Sequence, residues 1–335
     1  MAAKPTRFFT SRYFRVGAGL FVSVFALALV AREVDFWEVW AVLKKAHPSF
    51  IGLGLASVGV NGLSKVLRWR ALLGKRGGRV GFVPLLGAIL SGQLLNSIFP
   101  GRIGDVARVF VIGKDVGRAF VLGTIALEKV IETIAFAVMF LILLFLAPIP
   151  DWLEGSSWSL LAIVLLGSGL LAGAVYFRKQ LTVFVIHLTE RLPARLYSWL
   201  APQLESGLSA LKVLEGEGRL LWVVFLTAMV WGTAVFNNHA TMRALEIQLP
   251  ISASLLLLIG LQAAIVAAAS PGAIGVFEYI CVLTLGAFGV ERTLALGYGL
   301  LLHALVLLPQ VVGGMVALVG WGLRSPALLV NPGGE

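Results

Sequence analysis

The stretch that decides the fold is "NSIFPGRIGDVARVF", residues 96–110. It sets Arg102, Asp105 and Arg108 beside a Pro100-Gly101 break, with long apolar runs on either side. Proline interrupts a helix and glycine adopts backbone conformations closed to other residues, so the chain turns here. What the flanking runs do on each side of that turn fixes the topology.

The chain has 335 residues, of which 59% are hydrophobic and 13% charged. Soluble domains carry about 25% charged residues, and several runs here reach the roughly 20 apolar residues that a bilayer crossing needs. The expected class is an all-α polytopic membrane protein. A net charge of +10 fits basic loops that face anionic lipid on the cytoplasmic side, and no nucleic-acid partner is expected. Cys281 is the single cysteine and lies inside an apolar run, which excludes an intrachain disulfide. His47, His187, His239 and His303 show no metal-ligand spacing, so neither a metal nor another cofactor is expected.

The first apolar run, "VGAGLFVSVFALALVA" (16–31), follows Lys4, Arg7, Arg12 and Arg15. It is read as a retained signal anchor with a cytoplasmic amino terminus, and cleavage near Ala26-x-Ala28 is the alternative. Further runs cover 50–67, 82–99, 119–148, 158–177, 219–241, 251–269, 275–290 and 293–323. Basic residues crowd 68–80 (Arg68, Arg70, Lys75, Arg76, Arg79) and 178–219, whereas "IPDWLEGSS" (149–157) carries only acids. If 82–99 crossed once, the acidic loop would be cytoplasmic and the basic 178–219 segment external, against the positive-inside rule. The conflict vanishes if 82–112 enters from the cytoplasm, turns at Pro100-Gly101 and returns to the same side at 113–118. The returning arm, read as 105–112, spans about 12 Å of helix, too short to cross. Under this topology 18 of the 27 basic residues are cytoplasmic and five external, with both termini in the cytoplasm.

The turn recurs. "FPGRIGD" (99–105) is echoed by "SPGAIGV" (270–276), which shares Pro-Gly-x-Ile-Gly, and each follows a small-residue run holding one glutamine, Gln93 or Gln262. The flanking order repeats as well. The reading is about six full crossings plus two re-entrant helical hairpins, arranged as inverted repeats, with turns at Pro100, Gly101 and Gly104 and at Pro271, Gly272 and Gly275. Inverted repeats with broken helices are a transporter layout with the site at mid-membrane. The chain is read as one membrane domain, 1–335. Its parts are an anchor and external loop (1–49), repeat 1 (50–148), a connecting crossing with a cytoplasmic surface helix (149–218), repeat 2 (219–323) and a tail (324–335). The surface helix is carried by Leu204, Leu208, Leu211 and Leu214 in "QLESGLSALKVLE" (203–215).

Within this frame Arg102, Asp105, Arg108, Glu128, Lys129 and Glu132 fall at membrane depth, where each charge costs at least about 2.5–3.5 kcal/mol. Their charges cancel. Asp105 and Arg108 are three apart, as are Lys129 and Glu132, and Glu128 and Glu132 share a helix face. Two acids on one face need a cation between them, and Arg102 or Arg108 is the expected one. Arg102 and the helix start at Asp105 would form an anion site, since free N–H groups and arginine favour phosphate. The rival reading is a salt-bridge cluster that only locks hairpin to helix. Glu278 would complete the site from the second hairpin, paired with Arg102 or Arg108. Asn61, Lys65, Asn237, Asn238, His239 and His303 are read as packing or interfacial groups, with Lys65 the one candidate ligand among them.

The segments "LNSIFPGRIGDVARV" (95–109), "ALEKVIETI" (126–134) and "SPGAIGVFE" (270–278) make the chain resemble the flippase-like membrane family related to the transmembrane domain of lysylphosphatidylglycerol synthases. The resemblance covers about residues 10–324. It implies movement of a lipid between leaflets of the cytoplasmic (inner) membrane, and a lipid-modifying enzyme as a partner. The sequence ends at Glu335 soon after its last run, so aminoacyl-lipid synthesis is not expected of it. The expected cargo is an anionic lipid or polyprenyl-phosphate-type amphiphile, held by Arg102, Arg108, Asp105, Glu128, Lys129, Glu132 and Glu278. A lipid-modifying transferase, or a non-transporting partner of a lipid synthase, is the alternative.

Overall fold

The computed structural model describes residues 36–99, 103–146, 194–215, 218–267 and 271–322, with scattered positions between 162 and 187. Among the described residues the chain is helical and has no strand. Ten of its helices carry the account: α1 (Phe36–Lys44), α2 (Pro48–Leu73), α3 (Phe82–Ile98), α4 (Ile103–Val116), α5 (Arg118–Leu146), α6 (Ala194–Leu208), α7 (Arg219–Ala244), α8 (Ile251–Ala267), α9 (Val276–Gly286) and α10 (Arg292–Gly322).

Four segments are long and apolar enough to cross a bilayer: Pro48–Arg79, Arg118–Leu146, Arg219–Ala244 and Arg292–Gly320. Their most apolar windows are only 17–33% buried within the protein. Such apolar faces turned outward need lipid rather than water as solvent, which makes this a multi-pass membrane protein. Phe82–Ile98, Ile251–Ile265 and Val276–Gly286 are apolar and shorter. The run at 16–31, most of 158–177 and the first turn at Pro100, Gly101 and Arg102 lie outside the described residues.

The chain divides into two units. One comprises Met1–Val58, Leu95–Ile103 and Ala234–Pro309. Its core gathers Met242, Leu257, Phe277, Cys281, Leu285 and Tyr298. Here α10 runs so close to α9 that a methyl group on Gly299 would lie 3.3 Å from the Glu278 Cα and 3.1 Å from the Cys281 Cβ. Helix α1 forms in the stretch read as an external loop, because Val39 and Val42 recur on one face and seat against α10 at Gly297.

The other unit comprises Gly59–Leu94, Gly104–Thr233 and Gln310–Glu335. Its core is built from Val66, Trp69, Leu72, Leu85, Ile112 and Phe120, among others. The basic turns meet at one end of it: Arg76 donates to the Val116 carbonyl (3.1 Å) and lies over Phe120, and Arg219 donates to the Val213 carbonyl (2.8 Å). A methyl group on Gly74 would reach Val213 at 3.1 Å.

Three boundaries differ from the sequence reading. Helix α2 does not end at residue 67 but continues to Leu73. Val66, Trp69, Leu72 and Leu73 are wholly buried and hold the helical period through residues that their charged neighbours made look like a loop. The arm after the first turn is α4, 14 residues long and about 21 Å, not eight residues. It ends at Gly117, whose φ of 101° lets α5 start one residue later. Gly104 is not a turn residue: it lies in the first turn of α4, buried, and a methyl group on Gly92 of α3 would meet its carbonyl at 3.1 Å. The helix read at 203–215 begins earlier, as α6, and tightens into a 3-10 segment at Ser209–Glu215. It packs on α5, where a methyl group on Gly123 would collide with the Gly207 carbonyl. Ala210 there is part of the core, so this segment is not solely a surface element.

Candidate functional site

Three helices of the second unit bring six charges into a closed ring. Arg68, on the last turns of α2, donates from Nη2 to Glu128 Oε1 at 3.2 Å and to Glu132 Oε1 at 2.7 Å. Glu128 Oε2 accepts from Arg108 Nη2 on α4 at 2.8 Å. Arg108 Nη1 lies 3.6 Å from Asp105 Oδ1, one turn earlier on the same helix. Asp105 Oδ2 is 3.3 Å from Lys129 Nζ, which donates to Glu132 Oε2 at 3.1 Å and closes the circuit. Cation and carboxylate alternate at every step, so each charge has two opposite neighbours and no like pair is adjacent.

Local structure explains why the ring forms. On α5, Glu128 and Glu132 share a face one turn apart, and Arg68 bridges them. Asp105 sits in the first turn of α4, where the exposed N–H groups and the helix dipole favour an acid. Gly92 leaves room for Arg108: a methyl group there would fall 3.0 Å from its Cδ. The Arg108 guanidinium lies 4.0 Å over the Trp69 ring, and the Trp69 Nε1–H donates to Thr124 Oγ1 at 3.2 Å.

The ring has a buried edge and an open one. The side chains of Arg68, Glu128 and Arg108 are 0%, 5% and 6% exposed, against 28% for Glu132 and 34% for Lys129. On the buried edge, Nε and Nη1 of Arg68 and Nε of Arg108 have no hydrogen-bond partner. Lys65, one turn before Arg68 on α2, lies close enough to feel Glu132, Glu128, Arg68 and Lys129. It makes no ion pair with the described residues, so the described group holds four basic residues and three carboxylates.

Asp105, Arg108, Glu128, Lys129 and Glu132 thus come together, while Arg102 lies outside the described residues. Among the described residues the partner of Glu278 is His303, not Arg108. Glu278 stands in the first turn of α9, where Oε2 accepts the Gly275 N–H at 2.7 Å and Oε1 lies 2.6 Å from His303 Nδ1 on α10. Gly275 is the N-cap residue with φ 87°, and Gly272 has φ 65°, so both are turn residues as read.

Arg68 escapes the sequence reading, which places it among the loop charges, although the spacing of Val66, Trp69 and Leu72 carries the helix past it. His303, read as a packing group, makes an interhelical hydrogen bond. The signal for it was Glu278, an acid in an apolar run that needed a partner.

A family model described as the lysylphosphatidylglycerol synthase TM region matches residues 16–314. The glycosyltransferase AglD of Haloferax volcanii is 30% identical over 129 residues, which are 38% of this chain and 21% of AglD. The match therefore spans about a fifth of that relative's length. The UPF0104 membrane protein PH1989 of Pyrococcus horikoshii is 21% identical over 311 residues, 87% of this chain and 91% of that protein.

Proposed function

We propose that this chain, which belongs to the lysylphosphatidylglycerol synthase TM region family, moves or handles an anionic lipid or lipid-linked intermediate between the leaflets of the cytoplasmic membrane. The observation that carries the reading is a fourth basic residue, Lys65, partly buried beside a neutral ring of charges on two membrane-spanning helices and α4. Asp105, Arg108, Glu128, Lys129, Glu132 and Arg68 neutralise one another, and Lys65 is left over beside them. An unmatched charge at membrane depth is costly, and a negatively charged head group offsets it. Arg102, next to the turn, adds a further positive charge in sequence.

In this reading the head group enters at the open edge, beside Lys129. Arg108 binds it from the ring, and Asp105, Glu128 and Glu132 hold the cations in place. The tails stay among the apolar outer faces of the spans. Six crossings with two re-entrant hairpins, as inverted repeats with cytoplasmic termini, remain the proposed topology. The contact of Arg76 with Val116 supports it for the first hairpin, because it brings the start of α3 and the end of α4 to one end of their unit. The match to a stretch of a protein named as a glycosyltransferase favours one further reading: a membrane partner that serves a head-group-transferring enzyme.

Leaflet exchange of labelled anionic lipids in proteoliposomes tests the proposal, with wild type beside Arg102→Ala and Lys65→Gln. Exchange by wild type, abolished in Arg102→Ala and at least about tenfold slower in Lys65→Gln (roughly 1.4 kcal/mol in the barrier), is the expected result. Normal rates in both variants would remove Arg102 and Lys65 from the site and overturn the reading that rests on Lys65. No exchange of phospholipids or polyprenyl phosphates by wild type would leave the partner reading.

A further inference from the structure

Each carboxylate of the ring has two Lys or Arg partners. Glu278 has none among the described residues. Its partner is His303 at 2.6 Å, and the two residues are 2% and 8% exposed. The Phe277 ring stacks on the imidazole, 4.3 Å between centroids and 20° from parallel. Arginine and lysine keep their protons near neutral pH, whereas imidazole gains and loses one there. The ring therefore has a fixed charge, and the Glu278–His303 pair can change its charge by one.

Among the described residues of this unit, other polar and ionisable groups stand on the same two helices and on α7, α8 and α1. On α9 the closest are Cys281, one turn on, and Tyr279. On α10, Tyr298 donates its hydroxyl proton to the Asn238 carbonyl at 3.1 Å, while Glu291 and Arg292 stand at the far start of the helix. Helix α7 contributes His239, whose Nδ1 is bonded to Ser254 Oγ, and Arg243 beside it. Helix α8 has no ionisable residue, and α1 brings Glu38 and Lys44.

We propose that Glu278 and His303 form a proton-binding site within the membrane part of this protein, and that its occupancy controls the turn at residues 271–275. A proton taken from the aqueous phase adds to the pair and later leaves it, with no other bond made or broken. The connection to the turn is the Gly275 N–H bonded to Glu278 Oε2. A proton on the imidazole makes it a charged donor that draws the carboxylate's negative charge toward Oε1, so proton uptake weakens the bond from the Gly275 N–H to Oε2 and loosens the cap of α9. The turn it holds is strained: Ala273, with a Cβ, has φ 53° between Gly272 and Gly275. The use of this site to drive cargo movement rests on the function proposed above; the site itself does not.

Infrared difference spectra of the purified full chain, recorded over about pH 5–9, test the site directly. A carboxyl and imidazole signal that titrates in wild type and disappears in Glu278→Gln is expected. Superimposable wild-type and variant spectra would overturn the proposal. A variant retaining His303 as the single histidine, by His47→Gln, His187→Gln and His239→Gln, gives a check that leaves the pair intact. Its ring-nitrogen resonances should shift over the same range, and flat resonances would overturn the proposal. In proteoliposomes that exchange lipid, each unit of pH gradient should change the cargo distribution by up to about tenfold. Glu278→Gln should remove that dependence. Titration without any lipid exchange would uphold the proton site and remove the transport reading.

Discussion

Replacing Arg68 with alanine would leave Glu128 and Glu132, one turn apart on α5, without the guanidinium that bridges them. Removing one partner of a buried ion pair costs about 3–5 kcal/mol, since the stranded charge loses its compensation. A fall of that size in the unfolding free energy in detergent is the expected outcome for Arg68→Ala. Unchanged stability would mean that the ring closes without Arg68. The pairs that the sequence disclosed are local: Asp105 with Arg108 and Lys129 with Glu132, each at a spacing of three. The partners it hid come from afar, since Arg68 is 60 residues from Glu128 and His303 is 25 from Glu278. Helical spacing constrains neighbours on one helix and is silent about which helix lies opposite.

At the scale of elements, the four long spans were legible as apolar runs, and their ends were less so. Arg68 and Arg70 broke the apolar run at the end of α2 without breaking the helix. One of the two points inward to Glu128 while the other stays exposed. Hydropathy weighs a residue by its type and cannot distinguish these two destinations. Helix α4, at 14 residues, is longer than the eight read and still short of a bilayer's roughly 30 Å. The packing of α6 on α5 depends on Gly123 and Gly207, whose backbones approach so closely that an added methyl collides. Gly123→Ala should cost about 1–3 kcal/mol, the range for overpacking. Faster proteolysis within 194–215 would show it, and an unaltered cleavage rate would show that α6 docks by other contacts.

For the whole molecule, charge was the guide that hydropathy could not supply. On the proposed topology, moving Arg68 into the ring lowers the basic count of the cytoplasmic segments from 18 to 17, against five on the other side, so the proposed asymmetry stands. The contacts of Gly74 with Val213 and of Arg76 with Val116 bring three basic segments to one end of their unit. Exposed positions 75 and 212, carrying single introduced cysteines, should therefore react with a membrane-impermeant reagent from the same side. Labelling from opposite sides would contradict this arrangement.

Cys281 lies buried one turn beyond Glu278, pressed against Gly299, and is the single thiol in the chain. The protein thus contains its own clock. A small membrane-permeant alkylating agent reaches that sulfur only when α9 and α10 part, so the rate of modification counts the openings of this seam. No label need be introduced to follow it, and cargo or acidity can be varied while the clock runs.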